Sequence, residues 1–552
     1  MGAAEIPYLY MVFGGWESYL SIVIVHYTSS LDNQRSLYNR AFRMRENSQA
    51  RFSNCPWLTV ISREMATTQQ SYTGSVYRTN DFQTAPPSTA KINEMMEAVQ
   101  NCTQRIQKDP YNPHLWAERG GYFLALNYPE LAVGDAWKSR ILFHRDLRIM
   151  GENDRSARLQ TYDILGQALY DCHCHWEAAS FWEEVAKEFP DSYACEKAIA
   201  LRRLLESKEK LATPLGGTWQ ERMDRLRDGC VTSVHYPWMQ DRHFRRTQEL
   251  VNDVNNELKQ DTQQVPACYL GSSTLATRDD MLGMFASRYI QPGECILIDR
   301  TATGICSIVE TLSCSNCFSH IEGLPMRASC CSESYCSSAC LELSMNTYHK
   351  VLCGQDFAWL SQPAQGLQHN ASPLRPLLML RFLAACIQSS PTSHPLDHSL
   401  IARLQPLTRN NHVDVFTMED SVTTPIRILE QLGIDVFANL NFDIMVLHTI
   451  WTRLANNKAG SPDPTHGFID EITPFLSFFN HSCEPNVEFK RKTDSTTICF
   501  YAKRGLKEGE ELFVSYVDVQ DMSLNERTEM LWPWFEEMCL CPKCKREATQ
   551  NL

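Results

Sequence analysis

The feature that most constrains the fold of this chain is a 40-residue segment, Cys314 to Cys353, that is rich in cysteine and poor in apolar residues. A segment with so little apolar surface to bury does not fold stably by itself. Thiolate and imidazole groups are the ligands that Zn²⁺ prefers, and tetrahedral zinc binding supplies the missing folding free energy. The segment is therefore predicted to fold around zinc. Its candidate ligands are Cys314, Cys317, Cys330, Cys331, Cys336, Cys340, His349 and Cys353.

The other cysteines point to the same chemistry. Of the 22 cysteines, half lie in this segment or in a second group near the C-terminus. That group consists of Cys483, Cys539, Cys541 and Cys544. Four thiolates satisfy the coordination of one structural zinc, so a further zinc is predicted here.

The N-terminal residues are apolar but do not match a targeting segment. They contain no Lys or Arg before Arg35 and carry Glu5 and Glu17, so a secretory signal is not predicted. Their longest apolar run is shorter than the roughly 20 residues that a membrane span requires. We therefore expect an intracellular protein, cytoplasmic, nuclear or both, in which cysteines bind metal rather than form disulfides. Residues 1–89 fit no structural class.

Composition sets the remaining limits. The chain has 552 residues, of which 43% are hydrophobic and 21% charged, as in globular proteins of about three domains. Its net charge of −13 argues against a protein that mainly binds nucleic acid, since phosphate contacts need clustered Lys and Arg. We expect a monomer without membrane contact.

Residues 90–210 are predicted to form paired helices. Two stretches carry small residues at helix-crossing positions, including Gly120, Ala132 and Gly166, between aromatic and apolar residues. They resemble tetratricopeptide repeats, which implies a surface for protein partners. The two glycines lie farther apart than that family's repeat, so an unrelated helical bundle is the alternative. The motif CHCH at 172–175 falls at a predicted turn, and neighbouring side chains do not all converge on one ion, so no metal is expected there.

The rest of the chain alternates between β-rich and helical segments, which predicts the α+β class. Pro292-Gly293 makes a turn between two β-rich runs. In order, the predicted segments are 1–89 unassigned, 90–210 helical repeats, 211–265 linker with helix, 266–312 β-rich, 313–354 zinc segment, 355–465 helical insert, 466–521 β-rich and 522–545 cysteine-containing tail.

The spacing of the first cysteine segment resembles the MYND zinc finger, whose second half matches "YCSSAC" and "YHKVLC". The resemblance implies two zincs. One is held by Cys314, Cys317, Cys336 and Cys340, and the other by Cys330, Cys331, His349 and Cys353. This chain differs in the second set, because Cys330 and Cys331 are adjacent. Two neighbouring thiolates share an ion only with an awkward backbone, so the alternative is one of them together with His320 or Cys306.

Three later stretches, "FFNHSCEPN", "GEELFVSYVD" and "WPWFEEMCLCPKC", resemble the SET domain of protein lysine methyltransferases. With an inserted MYND finger and tetratricopeptide-like helices ahead of it, the arrangement is similar to the SMYD family. The resemblance covers residues 266–545 and implies methyl transfer from S-adenosylmethionine to a lysine of a histone or another protein. By the same resemblance Asn480 and His481 bind the cofactor and Tyr516 is the catalytic tyrosine.

The resemblance also assigns parts of the cofactor site outside these motifs. Gly283 and Met284 stand in the N-terminal cofactor loop, and Phe535 lies where relatives have a tyrosine in the lysine channel. The third zinc, held by Cys483, Cys539, Cys541 and Cys544, would tie the post-SET tail to the cofactor strand. The predicted fold is thus an N-terminal all-α repeat region followed by a β-rich SET domain with an inserted finger, a helical insert and a zinc-bound tail.

One departure from the family pattern favours a different function. The cofactor loop keeps Gly283 but has Met281 where relatives have an earlier glycine. Methionine adopts a positive φ only at a cost, and its side chain would crowd the methionine end of the cofactor. The alternative to an enzyme is a catalytically degenerate SET, MYND and repeat protein that acts as an adaptor or transcriptional scaffold. Intact Asn480, His481 and Tyr516 favour the enzyme.

Overall fold

The computed structural model describes most of the chain after residue 87. The described residues are 88–145, 152–212, 229–232, 235–260, 267–275, 281–306, 313–318, 320–321, 323–360, 375–406, 413–463, 467–491, 497–531, 534–535 and 538–550. Nearly all of the unassigned N-terminal region and the Gly- and Pro-containing part of the predicted linker therefore lie outside them.

Six helices form the N-terminal region of the described chain, as the apolar periodicity predicts. They are α1 (Thr89–Lys108), α2 (Pro113–Ala125), α3 (Pro129–Arg145), α4 (Glu152–Asp171), α5 (His175–Glu188) and α6 (Ala194–Ala212). Local chemistry sets their ends: the Asn112 side chain caps α2 by accepting from the His114 N–H, with Pro113 at the first helical position. The α2–α3 turn passes through Asn127 at φ 64°.

Small residues bring these helices close together, which supports the predicted hairpins. A Cβ at Gly120 would lie 3.2 Å from the Cβ of Asp135 on α3, and one at Gly166 would lie 2.4 Å from the Trp182 ring on α5. The fold class is thus confirmed in its coarse form, a helical N-terminal region followed by mixed helix and sheet. The assignment of the hairpins to tetratricopeptide repeats stays a prediction.

The CHCH turn between α4 and α5 contacts the rest of the protein through its backbone and one thiol. Cys172 O accepts from Cys230 N at 2.8 Å, and Cys174 Sγ lies 3.4 Å from the carbonyl of Phe416. Cys230 and Phe416 belong to paired strands, β1 (Gly229–Thr232) and a later strand. No described group of metal ligands includes these cysteines. The two contacts pack the turn against these paired strands.

The β-rich part consists of several small sheets. Its strands are β2 (Cys268–Ser272), β3 (Leu282–Ala286), β4 (Cys295–Asp299) and β5 (Thr303–Cys306), which follow helix α7 (Gln248–Gln260). β2 and β3 pair antiparallel with Gly271 opposite Gly283. All five residues of β3 are buried, so this strand forms the centre of the core beneath the site.

The cysteine-rich segment contains two short strands and two helices. These are β6 (Met326–Arg327), β7 (Ser334–Tyr335), α8 (Ser338–Thr347) and α9 (His349–Leu352). The Arg381 guanidinium attaches the segment to the body by donating to Gly304 O at 2.6 Å and Ser315 O at 2.7 Å. Its position relative to the β-rich part is thereby held by charge-assisted hydrogen bonds.

A helical segment follows, as predicted. It contains α10 (Arg375–Ser389), α11 (Ser399–Arg403), β8 (Val413–Phe416), a π-helical turn (Glu419–Thr423), α12 (Thr424–Gln431) and α13 (Ile444–Asn457). Helix α13 begins at Asp443, whose side chain caps it by accepting from the Ile444 N–H at 2.9 Å. This helix packs against α3, where a Cβ at Gly134 would lie 2.6 Å from Ile444.

The C-terminal part returns to sheet and ends in two helices. The elements are β9 (Ala459–Asp463), β10 (Gly467–Ile472), β11 (Asn480–His481), β12 (Val487–Arg491), β13 (Ile498–Ala502), β14 (Phe513–Val514), α14 (Leu524–Leu531) and α15 (Pro542–Gln550). Two three-stranded sheets have the orders β5-β10-β9 and β12-β13-β4, so strands on either side of the cysteine-rich segment pair with each other. Among the described helices, none combines the length and apolar character needed to cross a membrane.

Candidate functional site

The site is built around β11, a two-residue strand that follows a 3₁₀ turn. β11 pairs with β14 in parallel, with Asn480 opposite Phe513 and His481 opposite Val514. The pairing continues past the strand, because Ser482 N donates to Val514 O at 2.9 Å. Residues about thirty positions apart in sequence are thereby adjacent, which explains why the apolar run before Asn480 ends in polar residues.

The amide nitrogen of Asn480 is held by three acceptors. Its Nδ2 atom lies 2.9 Å from the carbonyl of Leu282, 2.9 Å from the Glu511 carboxylate and 3.1 Å from Ser273 Oγ. A carbonyl and a carboxylate only accept, so the group that faces them is the NH₂ and the Oδ1 atom faces the other way. Among the described residues no donor contacts Oδ1. Asn480 therefore offers a fixed acceptor to a ligand.

His481 links β11 to Tyr516. Its Nδ1 atom accepts from the backbone N–H of Tyr516 at 3.0 Å, so the proton of the neutral ring is on Nε2, which faces Cys483 Sγ at 3.3 Å. Burial lowers the pKa of His481 to about 4. The ring is consequently a neutral positioning group at physiological pH.

The hydroxyl of Tyr516 has a defined direction. It donates to the carbonyl of Phe479 at 3.0 Å, next to β11. Burial raises the pKa of Tyr516 to about 12, so the hydroxyl stays protonated near neutral pH. A protonated, oriented hydroxyl is suited to position a reacting group rather than to accept its proton.

Aromatic rings from the tail cover this centre. The Phe535 ring is parallel to the Tyr516 ring at 6.4 Å and lies 5.9 Å from the His481 ring. Trp534 is 5.8 Å from Tyr516. The tail therefore forms one wall of the site, and Phe535 lies where the sequence predicts a channel residue.

The N-terminal loop residues take different positions. Gly283 lies against Glu511, since a Cβ there would be 2.2 Å from a carboxylate oxygen. Met284 is fully buried in the core, and its carbonyl accepts from Leu512 N at 2.7 Å. Met281 is not among the described residues with positive φ, so the backbone strain anticipated at this position is absent. Its carbonyl accepts from Ser273 N at 2.9 Å.

The C-terminal cysteines converge as four buried thiols. The Sγ atoms of Cys483, Cys539, Cys541 and Cys544 all lie within 4.8 Å of one another. Cys483 follows β11, whereas the other three belong to the tail. The buried Arg527 guanidinium lies 3.6 Å from Cys544 Sγ and also forms an ion pair with Glu547. A donor set of four sulfurs fits tetrahedral zinc, with Arg527 partly balancing the negative charge.

The cysteine-rich segment contains two further groups. Cys314, Cys317, Cys336 and Cys340 form one, and Cys330, Cys331, His349 and Cys353 form the other, each within 4.8 Å. Both adjacent thiols thus reach the second group, at 3.2 and 3.6 Å from His349 Nε2. His320 is exposed and Cys306 is buried with Phe318 and Ile469, and neither belongs to this group. Both donor sets fit zinc without a replacement ligand.

A carboxylate supports the second group from outside. His349 Nδ1 lies 3.1 Å from Glu333 Oε2 and 3.2 Å from the hydroxyl of Tyr335, which itself donates to Glu333. A carboxylate on the far nitrogen fixes the tautomer in which Nε2 is free to bind metal. The histidine is therefore oriented for coordination.

A fourth group of candidate ligands does not fit a metal. His243, His394 and Asp397 lie together, but the two rings are stacked at 4.3 Å with an angle of 16° between them. The nitrogen lone pairs of stacked rings run side by side instead of converging on an ion. Asp397 also accepts from His243 and Arg242, both at 2.9 Å. We therefore assign this group a structural role.

Sequence reasoning missed several residues that build the site. Glu511 holds Asn480, and Asn486 connects strands by donating to Glu511 O at 2.8 Å and accepting from Phe513 N at 2.7 Å. Buried Arg246 donates to Ser477 O at 3.1 Å, in the turn before β11. Glu511 stands in the segment "GEELFVSY" and Asn486 in "FFNHSCEPN", so their motifs were the available signal. Arg246 lies before the β-rich part and outside these motifs, so the sequence gave no signal for it.

Comparison with known proteins identifies the region. The SET domain family matches residues 281–517. The chain is 40% identical over 76 residues to histone-lysine N-methyltransferase SET5 of Yarrowia lipolytica, which covers 14% of this chain and 17% of that protein. It is 41% identical over 76 residues to a SET and MYND domain-containing protein of Dictyostelium discoideum, with 14% of each chain covered.

A longer alignment joins the chain to a second SET and MYND domain-containing protein of Dictyostelium discoideum. The two are 23% identical over 315 residues, which covers 48% of this chain and 79% of that relative. The alignments with the first two relatives cover less than a fifth of those proteins. Asn480, His481 and Tyr516 thus lie within the part of the chain that matches the SET domain family.

Proposed function

We propose that this chain, which belongs to the SMYD-like family of SET and MYND proteins, is a protein lysine methyltransferase that uses S-adenosylmethionine. The observation that carries the proposal is the junction of β11 with β14. There Asn480 has a free acceptor, and Tyr516 is joined to His481 through its backbone N–H and to Phe479 through its hydroxyl. Names of relatives that include histone-lysine N-methyltransferase support the same activity.

The residues fit the cofactor by their hydrogen-bonding capacity. S-adenosylmethionine supplies a methyl group on a positively charged sulfur, and its amino-acid part carries an ammonium that needs acceptors. Asn480 Oδ1 is such an acceptor in a fixed direction. The rings of Phe535 and Trp534 give apolar walls around the reacting centre and exclude water from it.

Tyr516 would act by orientation. The target amine must be neutral and lie in line with the methyl group, and positioning of this kind can contribute several kcal/mol to the acceleration. Because burial raises the pKa of Tyr516 to about 12, its hydroxyl remains a hydrogen-bond donor and does not act as a base at neutral pH. Its oxygen lone pairs are available to the target nitrogen while its proton is given to Phe479 O.

We further propose three zincs, two in the MYND-type segment and one in the tail. The tail zinc would hold Trp534 and Phe535 over the site, so its removal is expected to loosen the tail and lower activity. The helical repeats and the MYND-type finger would bind protein partners. We also propose that the substrate is a lysine of a histone or another protein. The protein would be a monomer, located in the cytoplasm, the nucleus or both.

The first test is a calorimetric titration of zinc-replete protein with S-adenosylhomocysteine, beside the double variant Asn480→Ala, His481→Ala. Micromolar binding by the wild type and its loss in the folded variant would support the cofactor site. Transfer of labelled methyl groups to core histones and to a library of lysine peptides then tests the reaction, with mass spectrometry of the modified lysine.

The competing function is a scaffold without methyl transfer. Met281, which replaces a glycine of the cofactor loop, is the residue that favours it. Well-folded, zinc-replete protein that does not bind S-adenosylhomocysteine would overturn the enzyme proposal and support the scaffold. Restored binding in Met281→Gly would identify this side chain as the cause.

A further inference from the structure

Glu511 is a buried carboxylate in the middle of the site, and the proposed reaction does not use it. It is 3% exposed and lies between β3 and the loop after β2. Its four donors come from two parts of the chain. The loop after β2 supplies Ser273 Oγ at 2.7 Å, the backbone N–H of Thr274 at 2.7 Å and the hydroxyl of Thr274, and β11 supplies Asn480 Nδ2 at 2.9 Å. All four approach as donors, which is the pattern around an ionised, acceptor-only carboxylate.

The two oxygens of Glu511 have different partners. Oε2 accepts from Thr274, through both its backbone N–H and its hydroxyl, whereas Oε1 accepts from Ser273 Oγ and Asn480 Nδ2. One oxygen is therefore anchored to the backbone of the loop and the other is directed at the cofactor residue. The carboxylate therefore fixes the side chain of Asn480 relative to the loop after β2.

Gly283 makes this arrangement possible. A Cβ at that position would lie 2.2 Å from Glu511 Oε1 and 3.1 Å from Asn480 Nδ2. Because real Cβ atoms do not come so close to an oxygen, any other residue would displace the carboxylate. The glycine here is required by close approach, since its φ is not in the left-handed region.

We propose that Glu511 is a positioning residue that holds the side-chain amide of Asn480 with its oxygen directed at the α-ammonium of S-adenosylmethionine. The inference rests on the proposed function. Without the acceptor at Oε1 the amide NH₂ keeps only Leu282 O and Ser273 Oγ as partners. A turn of the amide by 180°, which would present its NH₂ to the ammonium, then costs less. Two donors facing each other repel, so the amino-acid part of the cofactor loses its partner.

The variant Glu511→Gln isolates this effect because it keeps the shape and removes one acceptor. The glutamine NH₂ cannot face the Thr274 N–H, since a backbone donor does not turn away. It must therefore occupy the Oε1 position, opposite Asn480 Nδ2 and Ser273 Oγ. The variant is expected to bind S-adenosylhomocysteine about ten- to a hundredfold more weakly, the range for one hydrogen bond to a charged group.

The test compares two ligands on the full-length, zinc-replete protein. 5′-Methylthioadenosine shares the adenosine and the sulfur but lacks the amino-acid part. Glu511→Gln should lose affinity for S-adenosylhomocysteine and keep its affinity for 5′-methylthioadenosine. A merely structural role would weaken both ligands together, and equal loss for both, or no loss for either, would overturn the inference.

Two further variants keep the outcome interpretable. Ser273→Ala removes a single hydroxyl from the same oxygen of Glu511 and should give a smaller loss with the same ligand selectivity, even if Glu511→Gln does not fold. Glu508→Gln removes an exposed carboxylate nearby and should change neither affinity. If the wild type does not bind S-adenosylhomocysteine, the proposed function fails. If it binds and Ser273→Ala and Glu511→Gln bind equally well, only the role of Glu511 fails.

Discussion

At the scale of single residues, Tyr516 should separate cofactor binding from methyl transfer. Tyr516→Phe removes a hydroxyl that is fixed by Phe479 O, while its ring contacts with His481 and Phe535 stay. We expect the rate of methyl transfer to fall by about a hundredfold or more, because the target nitrogen loses the oxygen that orients it in line with the methyl group. Single-turnover rates and S-adenosylhomocysteine titration measure the two effects.

The matched control is Tyr289→Phe, which removes the hydroxyl of a tyrosine that is 53% exposed. This substitution should leave both the rate of methyl transfer and the affinity for S-adenosylhomocysteine unchanged. A Tyr516→Phe protein with full turnover would show that the hydroxyl has no part in the reaction.

Asp299 gives a second prediction at this scale, on stability and pH. It is fully buried and its Oδ2 atom accepts from the N–H groups of Phe475 and Leu476, both at 2.9 Å. Burial raises the pKa of Asp299 to about 7, above the roughly 3.9 of an unfolded chain. Between these values the folded state holds a proton that the unfolded state has released. The stability from this group is thus complete below about pH 4 and is lost as pH rises to 7.

Asp299→Asn removes the titration and keeps an oxygen for the two backbone donors. The wild type should lose up to about 1.4 kcal/mol of unfolding free energy per pH unit more than the variant in that window. Urea unfolding from pH 5 to 8 measures it, with exposed Asp253→Asn as the control. Parallel curves for wild type and Asp299→Asn would contradict the prediction. Any pH-dependent release of zinc is common to both proteins and therefore cancels in the difference between them.

At the scale of elements, the cysteine-rich segment places a carboxylate next to the candidate metal ligand His349. Glu333 Oε2 lies 3.1 Å from His349 Nδ1 across the segment from β7 to α9. Glu333→Gln should weaken zinc at the second group by about tenfold, because such outer partners raise the basicity of the histidine. The zinc groups without His349 should be unaffected.

Competition with a chromophoric chelator measures the zinc affinity of each group, because the chelator withdraws the zincs one after another. Glu342→Gln alters an exposed carboxylate on helix α8 and is the control. If one zinc is not weakened selectively in Glu333→Gln, the carboxylate does not orient His349.

Prediction from sequence was strongest for elements with a local cause. The paired helices of residues 90–210 follow from their own small and apolar residues, and the cysteine-rich segments are marked by the spacing of their candidate ligands. Prediction was weaker for elements whose structure depends on residues that are distant in the sequence. The adjacent pair Cys330 and Cys331 suggested a replacement ligand, yet the fold brings both thiols to His349, because the backbone between β6 and β7 turns sharply there.

At the scale of the whole molecule, buried charges join the helical region to the later insert. Arg119 on α2 contacts Asp135 at 2.7 Å and Asp443 at 2.8 Å, and Lys138 on α3 contacts Asp443 at 3.2 Å. Although burial alone would raise it, Arg119 and Lys138 hold the pKa of Asp443 at about 2. The helical region and the insert are therefore expected to unfold together.

Asp443→Asn keeps the helix cap and removes the charge. Breaking a buried ion pair leaves charges without compensation, so we expect a loss of about 3–5 kcal/mol in unfolding free energy. Glu118→Gln is the control, because its pair with Arg105 is exposed and is expected to contribute about 1 kcal/mol or less. Denaturant unfolding measures both. A loss for Asp443→Asn no larger than that of the control would show that the network does not join the two regions.

The sequence by itself indicated the candidate ligands and site residues of this protein, and the tertiary structure decided which residues contact them. Cysteine spacing indicates candidate zinc ligands, and two short motifs indicate Asn480, His481 and Tyr516 as candidate site residues, because ligand type and motif reside in local residues. Glu511 meets Ser273 across 238 positions and Asp443 meets Arg119 across 324. Such contacts depend on how strands and helices pack, and no local pattern encodes them. Only the folded chain therefore revealed that Glu511 contacts the amide of Asn480 and which charges join the two regions.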